Sequence, residues 1–101
     1  MATVTSKVLS RTAAAVTSTT LYTVPASTTA VVTNIVVTNT AGASGTFSLL
    51  LDDVSIATTV TVGAYDSTII DMKQVLATTK TIKGLASAIT INFHISGVEI
   101  S

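Results

Sequence analysis

The sequence predicts an all-β protein, a single antiparallel β-sandwich of about eight strands with an extended N-terminal arm. Thr and Val dominate the chain, and because both are β-branched, their stiff side chains favour the extended backbone over the helix. Short runs of alternating apolar and polar residues are separated by turn-forming residues every 8 to 12 positions or so. Both a jelly-roll and an immunoglobulin-like topology fit this pattern.

The N-terminal part differs from the rest of the chain. Residues 1–20 are predicted to form an arm or an edge strand, and residues 21–101 the sandwich domain. Residues 12–20 are Ala, Val, Thr and Ser in low-complexity order, with no bulky core residue except Val16. A segment that buries so little on its own domain is expected to extend to the surface of a partner.

Three strands are predicted in the middle of the chain, over residues 30–38, 46–51 and 54–62. The segment Asn39–Gly45 is rich in turn-forming residues and separates the first two strands, and Asp52-Asp53 forms the turn before the third. The predicted core of the first two strands consists of Val31, Ile35, Val37, Phe47, Leu49 and Leu51. The intervening Thr and Asn side chains are expected to face outward.

The segment that follows Gly63 is predicted to form a strand at residues 68–72. A helix over residues 67–77 is the weaker interpretation, because consecutive β-branched residues disfavour it. A short hairpin is then expected around Thr78-Thr79, with Gly84 ending its second strand.

The last strand has the clearest pattern. Its apolar and polar residues alternate: Ile89, Ile91, Phe93 and Ile95 against Thr90, Asn92, His94 and Ser96. After this run the apolar residues continue at Val98 and Ile100, on the opposite parity. Gly97 lies at the slip, so a β-bulge or bend is predicted there.

The chain carries little charge. Only 10% of its residues are charged and its net charge is zero, whereas about a quarter of the residues are charged in a typical soluble domain. No charged side chain occurs between Arg11 and Asp52. Because charged residues normally protect strand edges from pairing, much of this surface is expected to be covered by a partner or by other copies.

Composition also argues against several classes of function. A neutral chain lacks the basic surface by which nucleic-acid-binding proteins contact phosphates. Polar residues and Pro25 interrupt the uncharged stretch, so that no membrane-spanning segment is predicted. The sequence contains no cysteine, which excludes disulfides and thiolate metal sites.

No set of residues predicts an enzyme, a cofactor or a metal site. The single histidine, His94, shares the polar face of the last strand with Ser96, but no carboxylate is placed to orient it as in a catalytic triad. A surface or interface histidine is therefore the favoured interpretation. The carboxylates at Asp52-Asp53, Asp66 and Asp71 lack the spacing of a calcium loop, and turn formation accounts for them.

Glycan binding is an alternative that depends on exposed aromatic rings. Phe47 and Phe93 belong to the predicted core, and Tyr22 is expected to anchor a strand next to Pro25. Tyr65 lies in a predicted loop. There it either packs on its own domain, which is the favoured interpretation, or contacts a ligand.

Several segments resemble small β-rich virion proteins of tailed bacteriophages. They are Leu21–Ala26, Thr28–Val32, Ile35–Val37 with Asn39, and the closing Ile95–Ile100. The similarity covers most of the chain from Leu21 onward and consists of a strand, a proline turn and another strand. It implies a structural role in the particle, as a capsid decoration or cement protein or as a tail or fibre component.

The predicted function is that of a non-enzymatic capsid decoration protein located in the virion. Its expected partners are the major capsid protein or other virion proteins, and analogy with shell-decorating proteins favours a homo-oligomer, with a trimer as the first choice. The alternatives are a tail or fibre module that binds a host glycan, and a self-polymerising surface fibre. The candidate interface residues are Lys7, Arg11, Thr33, Thr38 and Tyr65. Of these, Lys7 and Arg11 are expected to face acidic residues of neighbouring copies.

Overall fold

The computed structural model describes residues 3–101 and contains eight β-strands in two antiparallel sheets. The strands are Val4–Ala13 (β1), Thr19–Thr23 (β2), Thr29–Asn39 (β3), Gly45–Leu51 (β4), Val54–Val62 (β5), Ser67–Leu76 (β6), Thr81–Ala86 (β7) and Ile91–Ile100 (β8). Sheet A has the order β1-β8-β3-β6 and sheet B the order β2-β7-β4-β5. This order is the double Greek key of a jelly roll. The predicted all-β sandwich is confirmed, and its topology is the jelly roll.

The inner faces of the two sheets form one apolar core. Phe47 of β4 and Phe93 of β8 meet edge to face across the sheets, with their ring centroids 6.2 Å apart. The other large, fully buried apolar side chains are Val24, Val32, Ile35, Val37, Leu49, Val62, Ile82, Ile91 and Ile95. Each contributes about 1.5–3 kcal/mol by its removal from water.

A line of irregular pairing, which we call the bulge belt, crosses sheet A. Leu9 is an extra residue on β1, opposite the step from Ile95 to Ser96 on β8, and Thr33 is an extra residue on β3, opposite the next step, from Ser96 to Gly97. On β6 two residues, Met72 and Lys73, lie opposite Thr33. Because an extra residue reverses the alternation of inward and outward side chains, the belt divides β1 and β3 each into two halves of opposite phase.

The bulge belt corrects two expectations from the sequence. The extra residues lie on the strands beside Gly97 rather than at Gly97, and β8 keeps its alternation, so that Val98 turns outward. A Cβ on Gly97 would lie 2.2 Å from the carbonyl oxygen of Val31, so only glycine fits. The predicted inward direction of Val31 is wrong, because Thr33 reverses the phase of β3 before Ile35.

The N-terminal segment lies along the sandwich. β1 pairs with β8 over its whole length and buries Leu9. After β1 ends, the N–H of Ala14 donates to β8 at 2.7 Å and the carbonyl of Ala15 accepts from β7 at 3.0 Å. Residues 3–20 therefore form an edge strand, a hydrogen-bonded connection and the start of β2. The part predicted as an arm packs on its own domain.

The hairpin expected around Thr78-Thr79 is wrong. The chain does turn there, since the N–H of Lys80 donates to the carbonyl of Ala77 at 3.1 Å. This turn carries the chain from β6 in sheet A to β7 in sheet B, so the two strands do not pair with each other. Gly84 does not end the strand, as predicted, but lies within β7. Glycine is favoured at this position because a Cβ there would come within 2.9 Å of Leu21.

All four edge strands carry an irregularity. Leu9 interrupts the register of β1, Leu21 that of β2, and the bulge belt that of β6. In β5 the register shifts twice, at Ile56 and at Thr58-Thr59. Bulges twist an edge away from the geometry that a further strand needs for pairing.

One end of the sandwich, which we call the apolar tip, consists of four loops: residues 14–18, 40–44, 63–66 and 87–90. Backbone hydrogen bonds join these loops. The N–H of Tyr65 donates to Ala41 at 3.0 Å, and the N–H of Thr40 donates to Thr90 at 3.0 Å. Loops 40–44, 63–66 and 87–90 are therefore cross-linked, and the loop 14–18 is bonded to β8 and β7 through Ala14 and Ala15.

The opposite end, which we call the charged end, carries the turn Asp52-Asp53 and the turn after β6. The first and last described residues also meet there, since Thr3 and Ser101 exchange two backbone hydrogen bonds of 2.6 and 2.9 Å. The long axis of the molecule, 49 Å against 21 and 17 Å for the other two, joins these two ends.

Candidate assembly interface

The solvent side of sheet A, which we call the outer sheet face, presents its side chains in rows. Residues paired across antiparallel strands share one side of the sheet. From the charged end to the apolar tip, and from β1 to β6, the first row is Ser6, Val98, Val31 and Val75, and the second is Val8, Ser96, Asn34 and Asp71. The third row is Arg11, His94, Val36 and Ile69, and the fourth is Ala13, Asn92, Thr38 and Ser67.

Apolar side chains occupy much of this face. Val8 is 46% exposed, Ile69 66% and Val75 67%, and all three lie on edge strands. Three more apolar side chains are half-buried on the same face: Val31, Val36 and Val98. The water-facing side of an antiparallel sheet is normally polar, and large exposed apolar patches mark interaction sites. The outer sheet face is thus suited to contact with another surface.

The bulge belt forms a shallow groove across this face, with Thr33 between its two halves. One half is lined by Ser6, Lys7, Val8, Ser96, Gly97 and Val98, and the other by Asp71, Met72 and Lys73. The hydroxyl of Thr33 donates to the carbonyl of Ser96 at 3.1 Å and remains exposed. Thr38 is half-buried in the fourth row, where its hydroxyl and that of Ser67 share a hydrogen bond of 3.1 Å.

The five interface residues predicted from the sequence lie in three places. Arg11, Thr33 and Thr38 lie together on the outer sheet face. Tyr65 lies at the apolar tip, at the far end of the molecule from Lys7. Lys7 borders the groove on β1 and makes an ion pair within its own chain.

Six of the charged side chains form ion pairs within the chain. Lys7 pairs with Glu99 at 3.2 Å, Lys80 with Asp52 at 3.6 Å and Lys83 with Asp53 at 2.8 Å. The hydrogen bond from Lys83 lowers the pKa of the exposed Asp53 carboxyl. Among residues 3–101, the charged side chains without such a pair are Arg11, Asp66, Asp71 and Lys73. Two of these four, Arg11 and Asp71, lie on opposite edge strands of the outer sheet face.

A polar cluster at the charged end ties the two sheets together. The phenol of Tyr22 in sheet B donates to Glu99 in sheet A, and Lys7 donates to the other carboxylate oxygen. The hydrogen bond from Tyr22 lowers the pKa of Glu99, and the Lys7 ammonium adds to this effect while burial opposes it. Burial raises the pKa of Tyr22, and the hydrogen bond to Glu99 raises it further.

The apolar tip exposes large side chains on three of its four loops. Val16 is 59% exposed, Ile89 69% and Tyr65 78%. The Tyr65 ring lies over Gly42, where a Cβ would be 3.0 Å from the phenol oxygen. Both sequence interpretations of Tyr65 therefore have support, because its ring touches its own domain and still faces solvent. Asp66 is the one charged residue in these loops.

The geometry offers little that would support chemistry. His94 is half-buried in the third row between Arg11 and Val36. Within residues 3–101, no three side chains of the His, Asp and Glu types gather in a way that would hold a metal ion. No buried side-chain nitrogen or oxygen in that range lacks a hydrogen-bond partner. The described residues include no helix that could cross a membrane.

Sequence reasoning missed most of the apolar residues that face outward. Val31 was assigned to the core, and Ile69 and Val75 were not assigned to any face. The sequence did contain one sign of the outward apolar residues: after Gly97 the apolar residues change parity. If β8 keeps its alternation through Gly97, as it does, Val98 must face outward. At the apolar tip, the exposed Ile89 had been assigned to the last strand.

The chain shares its fold with a protein of a virus particle. A chain in the crystal structure of the T13 viral particle of infectious bursal disease virus is 7% identical, with a TM-score of 0.59, and the alignment covers 98% of this chain and 30% of that chain. A chain in the structure of the Gx strain of the same virus is 15% identical, with a TM-score of 0.44, and 98% of this chain and 31% of that chain are covered. The chain thus spans less than a third of both. No protein-family model matches the sequence, and neither does any curated protein.

Proposed function

We propose that this protein is a structural component of a virus particle, and specifically a capsid decoration protein of a tailed bacteriophage. The observation that carries the proposal is the fold. Nearly the whole chain, 98%, superposes on part of a protein from an icosahedral virus particle, which leaves little of it for any other module. Jelly rolls recur in viral capsids. The similarity to tailed-phage virion proteins from Leu21 onward is the support for the finer assignment.

The neutral surface suits a protein that is displayed in many copies on a lattice. Uncharged Thr, Ser and Val side chains dock without the cost of removing charges from water. Each contact is weak, but neighbouring sites on a shell hold copies close together and multiply the effect. Such a protein needs no catalytic group, and we propose that it is not an enzyme.

We assign shell binding to the apolar tip. Val16, Tyr65 and Ile89 project from loops that backbone hydrogen bonds tie to one another or to the strands beside them, so that little backbone freedom is lost when they are covered. The tip carries one carboxylate, Asp66, and no cation, so its partner is expected to be an uncharged protein surface rather than a nucleic acid or an anionic lipid headgroup. The molecule is only 21 by 17 Å in cross-section, which makes a single tip contact small.

The test is to locate the protein in intact particles of the phage that encodes it. Cryo-electron microscopy is expected to show copies at symmetry-related positions on the outside of the head, with their tips toward the shell. The double variant V16D/I89D is expected to fold, because both side chains are exposed, and to be lost from the particles. The charged-end variant Ala26→Asp is the matched control and should be retained. Particles that lack the protein, or that carry it only on the tail, would refute the decoration role.

Glycan binding by a tail or fibre module is the second candidate, and one observation favours it. Tyr65 is 78% exposed at a loop tip, and its ring lies against Gly42. An exposed aromatic ring is a suitable platform for a sugar, and jelly rolls also occur in lectins. Glycan-array binding that disappears in Tyr65→Ala and persists in V16D/I89D, together with a tail location, would favour this function over shell binding.

A further inference from the structure

We propose that the outer sheet face is an interface between two copies of this chain, related by a two-fold axis that runs parallel to the strands. Such a rotation places β1 of one copy opposite β6 of the other, and β8 opposite β3. Each row then faces the same row of the partner in reverse order. The proposal concerns a surface other than the apolar tip, and does not depend on the proposed function.

The two central strands, β8 and β3, present complementary side chains to each other under this rotation. In the first row Val98 meets Val31 of the second copy, so that apolar side chains cover each other. In the second row Ser96 meets Asn34, and hydroxyl and amide groups can pair. A two-fold interface uses one patch twice and therefore requires such self-complementarity.

The charges on this face support the same arrangement. Arg11 on β1 and Asp71 on β6 make no ion pair within residues 3–101 and lie on opposite edges of sheet A, one row apart. The rotation brings each Arg11 to the partner's β6 edge, one row from Asp71, a distance of about 6.6 Å along a strand that the long arginine side chain spans. The symmetry creates this contact twice. Lys73 lies on the far side of Asp71 from Arg11, so it does not oppose the pair.

The outer sheet face has enough area for a dimer interface, whereas the apolar tip does not. Four strands spaced by about 4.8 Å and ten residues rising about 3.3 Å each give roughly 600 Å² in plan. Side-chain relief raises the accessible area above that value, toward the roughly 800 Å² per partner of a standard interface. The end of the molecule measures only 21 by 17 Å. The irregular edge strands disfavour association by strand addition. The outer sheet face is then the larger surface that remains for contact between copies.

Sedimentation equilibrium of the purified chain tests the proposal. The wild type is expected to be a dimer. R11E and D71R should each raise the dissociation constant at least tenfold by placing like charges together, and the double variant R11E/D71R should return it to within about threefold of the wild type, because the pair is restored in reverse. Asp66→Arg makes the same charge change at the apolar tip and should leave the dimer unchanged. Unchanged circular dichroism would show that each variant folds.

Four outcomes would overturn the proposal. They are a wild type that stays monomeric at millimolar concentration, a wild-type mass of a trimer, a double variant no stronger than the single variants, and an Asp66→Arg variant as weak as D71R. None of these outcomes bears on whether the protein lies in a virus particle. Failure here and failure of the proposed function are therefore distinguishable.

Discussion

Asn39, at the end of β3, has an almost completely buried side chain that holds two loops of the apolar tip. Its amide nitrogen donates to the carbonyl of Ala43 at 2.8 Å, with longer contacts to Val62 and Gly63. Its amide oxygen accepts from the N–H of Ala41 at 3.0 Å. The side chain thus takes over where the strand pairing ends. It supplies hydrogen-bond partners for backbone N–H and C=O groups of the loops that water cannot reach.

Removal of this amide is expected to be costly. Asn39→Ala should lower the free energy of unfolding by about 2–3 kcal/mol, because it leaves buried backbone groups without partners. Urea denaturation measures the loss. Asn92→Ala, on the half-buried outer sheet face, is the matched control and is expected to cost about 0.5 kcal/mol or less. Equal losses for the two variants would show that Asn39 does not hold the loops.

The cluster of Tyr22, Glu99 and Lys7 makes stability depend on pH. The pKa of Glu99 is lowered in the folded state, so its contribution is complete above its ordinary value of 4.5 and is lost as the pH falls through the folded value. The pKa of Tyr22 is raised from its ordinary value of 10.0, so its contribution is complete below pH 10.0 and declines above it. The cluster therefore stabilises the fold most between these limits.

The prediction is a loss of thermal stability as the pH falls below about 4.5. Glu99→Gln removes the titrating carboxylate, and its melting temperature should fall less steeply in this acid range than that of the wild type. Asp66→Asn, outside the cluster, should keep the steep wild-type profile. Scanning calorimetry between pH 2.5 and 6.5 compares the three proteins. A Glu99→Gln profile parallel to that of the wild type would rule out the cluster as the cause.

At the scale of the strand, the bulge belt sets which side chains are available for contact. Leu9 and Thr33 reverse the phase of β1 and β3 opposite consecutive steps of β8, and Gly97 permits the close approach of β8 to Val31. The reversal on β3 brings Val31 to the outer sheet face, next to Val98 of β8, which keeps its alternation.

A methyl group at Gly97 should disrupt this arrangement. Gly97→Ala places a Cβ 2.2 Å from a backbone oxygen, which cannot move away without breaking the pairing of β3 with β8, and a cost of about 3 kcal/mol or more is expected. At Gly63 the nearest atom to such a Cβ is 3.7 Å away, so Gly63→Ala is the control and should cost less than about 1 kcal/mol. Urea denaturation measures both. A Gly97→Ala protein as stable as Gly63→Ala would contradict the assigned role of glycine.

The sequence predicted the strands well and their partners less well. Alternation and turn residues are local, so the strands around Phe47 and Phe93 and the turn at Asp52-Asp53 followed directly from the pattern. The turn at Thr78-Thr79 has the same local signal whether it joins strands of one sheet or crosses between sheets, so the sequence predicts a hairpin where the chain in fact changes sheets. Only the pairing of β7 with β2 and β4 distinguishes them, and it depends on residues far away in the chain.

The composition of the outer sheet face could not be predicted from the sequence, because it also depends on the pairing of distant strands. An extra residue such as Thr33 is chemically ordinary, and its effect on phase is visible only when the neighbouring strands are aligned. The candidate residues Arg11, Thr33 and Thr38 were chosen for charge or for their position in the neutral stretch, and their place on one face results from the fold. The ion pair that holds Lys7 spans 92 positions of the chain and has no local signature.

For the molecule as a whole, the charges are distributed unevenly along its length. The ion pairs of Lys80 and Lys83 with Asp52 and Asp53 lie at the charged end, with the Lys7 cluster. The apolar tip carries only Asp66. The low charge of the sequence is therefore not spread evenly: the apolar tip has a single carboxylate, and the outer sheet face carries Arg11 and Asp71 at its opposite edges.

Lysine at two positions of the outer sheet face should weaken assembly and leave the fold intact. Thr33 is exposed and Thr38 half-buried beside solvent, so Thr33→Lys and Thr38→Lys are expected to keep the melting temperature within a few degrees of the wild type. Each buries a charge when copies meet, and should raise the dissociation constant at least tenfold. Thr61→Lys on sheet B is the control for sedimentation. Association unaffected at both positions would mean that this face is exposed to solvent.

The irregular edges also bear on the alternative of a self-polymerising fibre. Growth by strand addition needs a flat edge with a free ladder of donors and acceptors. β1, β2, β5 and β6 each depart from that geometry. We expect light scattering of concentrated protein to show discrete oligomers and no filaments, and growth of fibres on standing would contradict this expectation.

The pairing of β1 with β8 has a consequence for biosynthesis. β1 leaves the ribosome well before β8, with which it forms its hydrogen bonds, so the edge of sheet A stays open until β8 has emerged. During that interval Val4 and Val8 of the nascent chain, together with Leu9, are exposed to other nascent chains on the same polysome. Slow closure of this kind favours exchange of β1 between molecules made side by side.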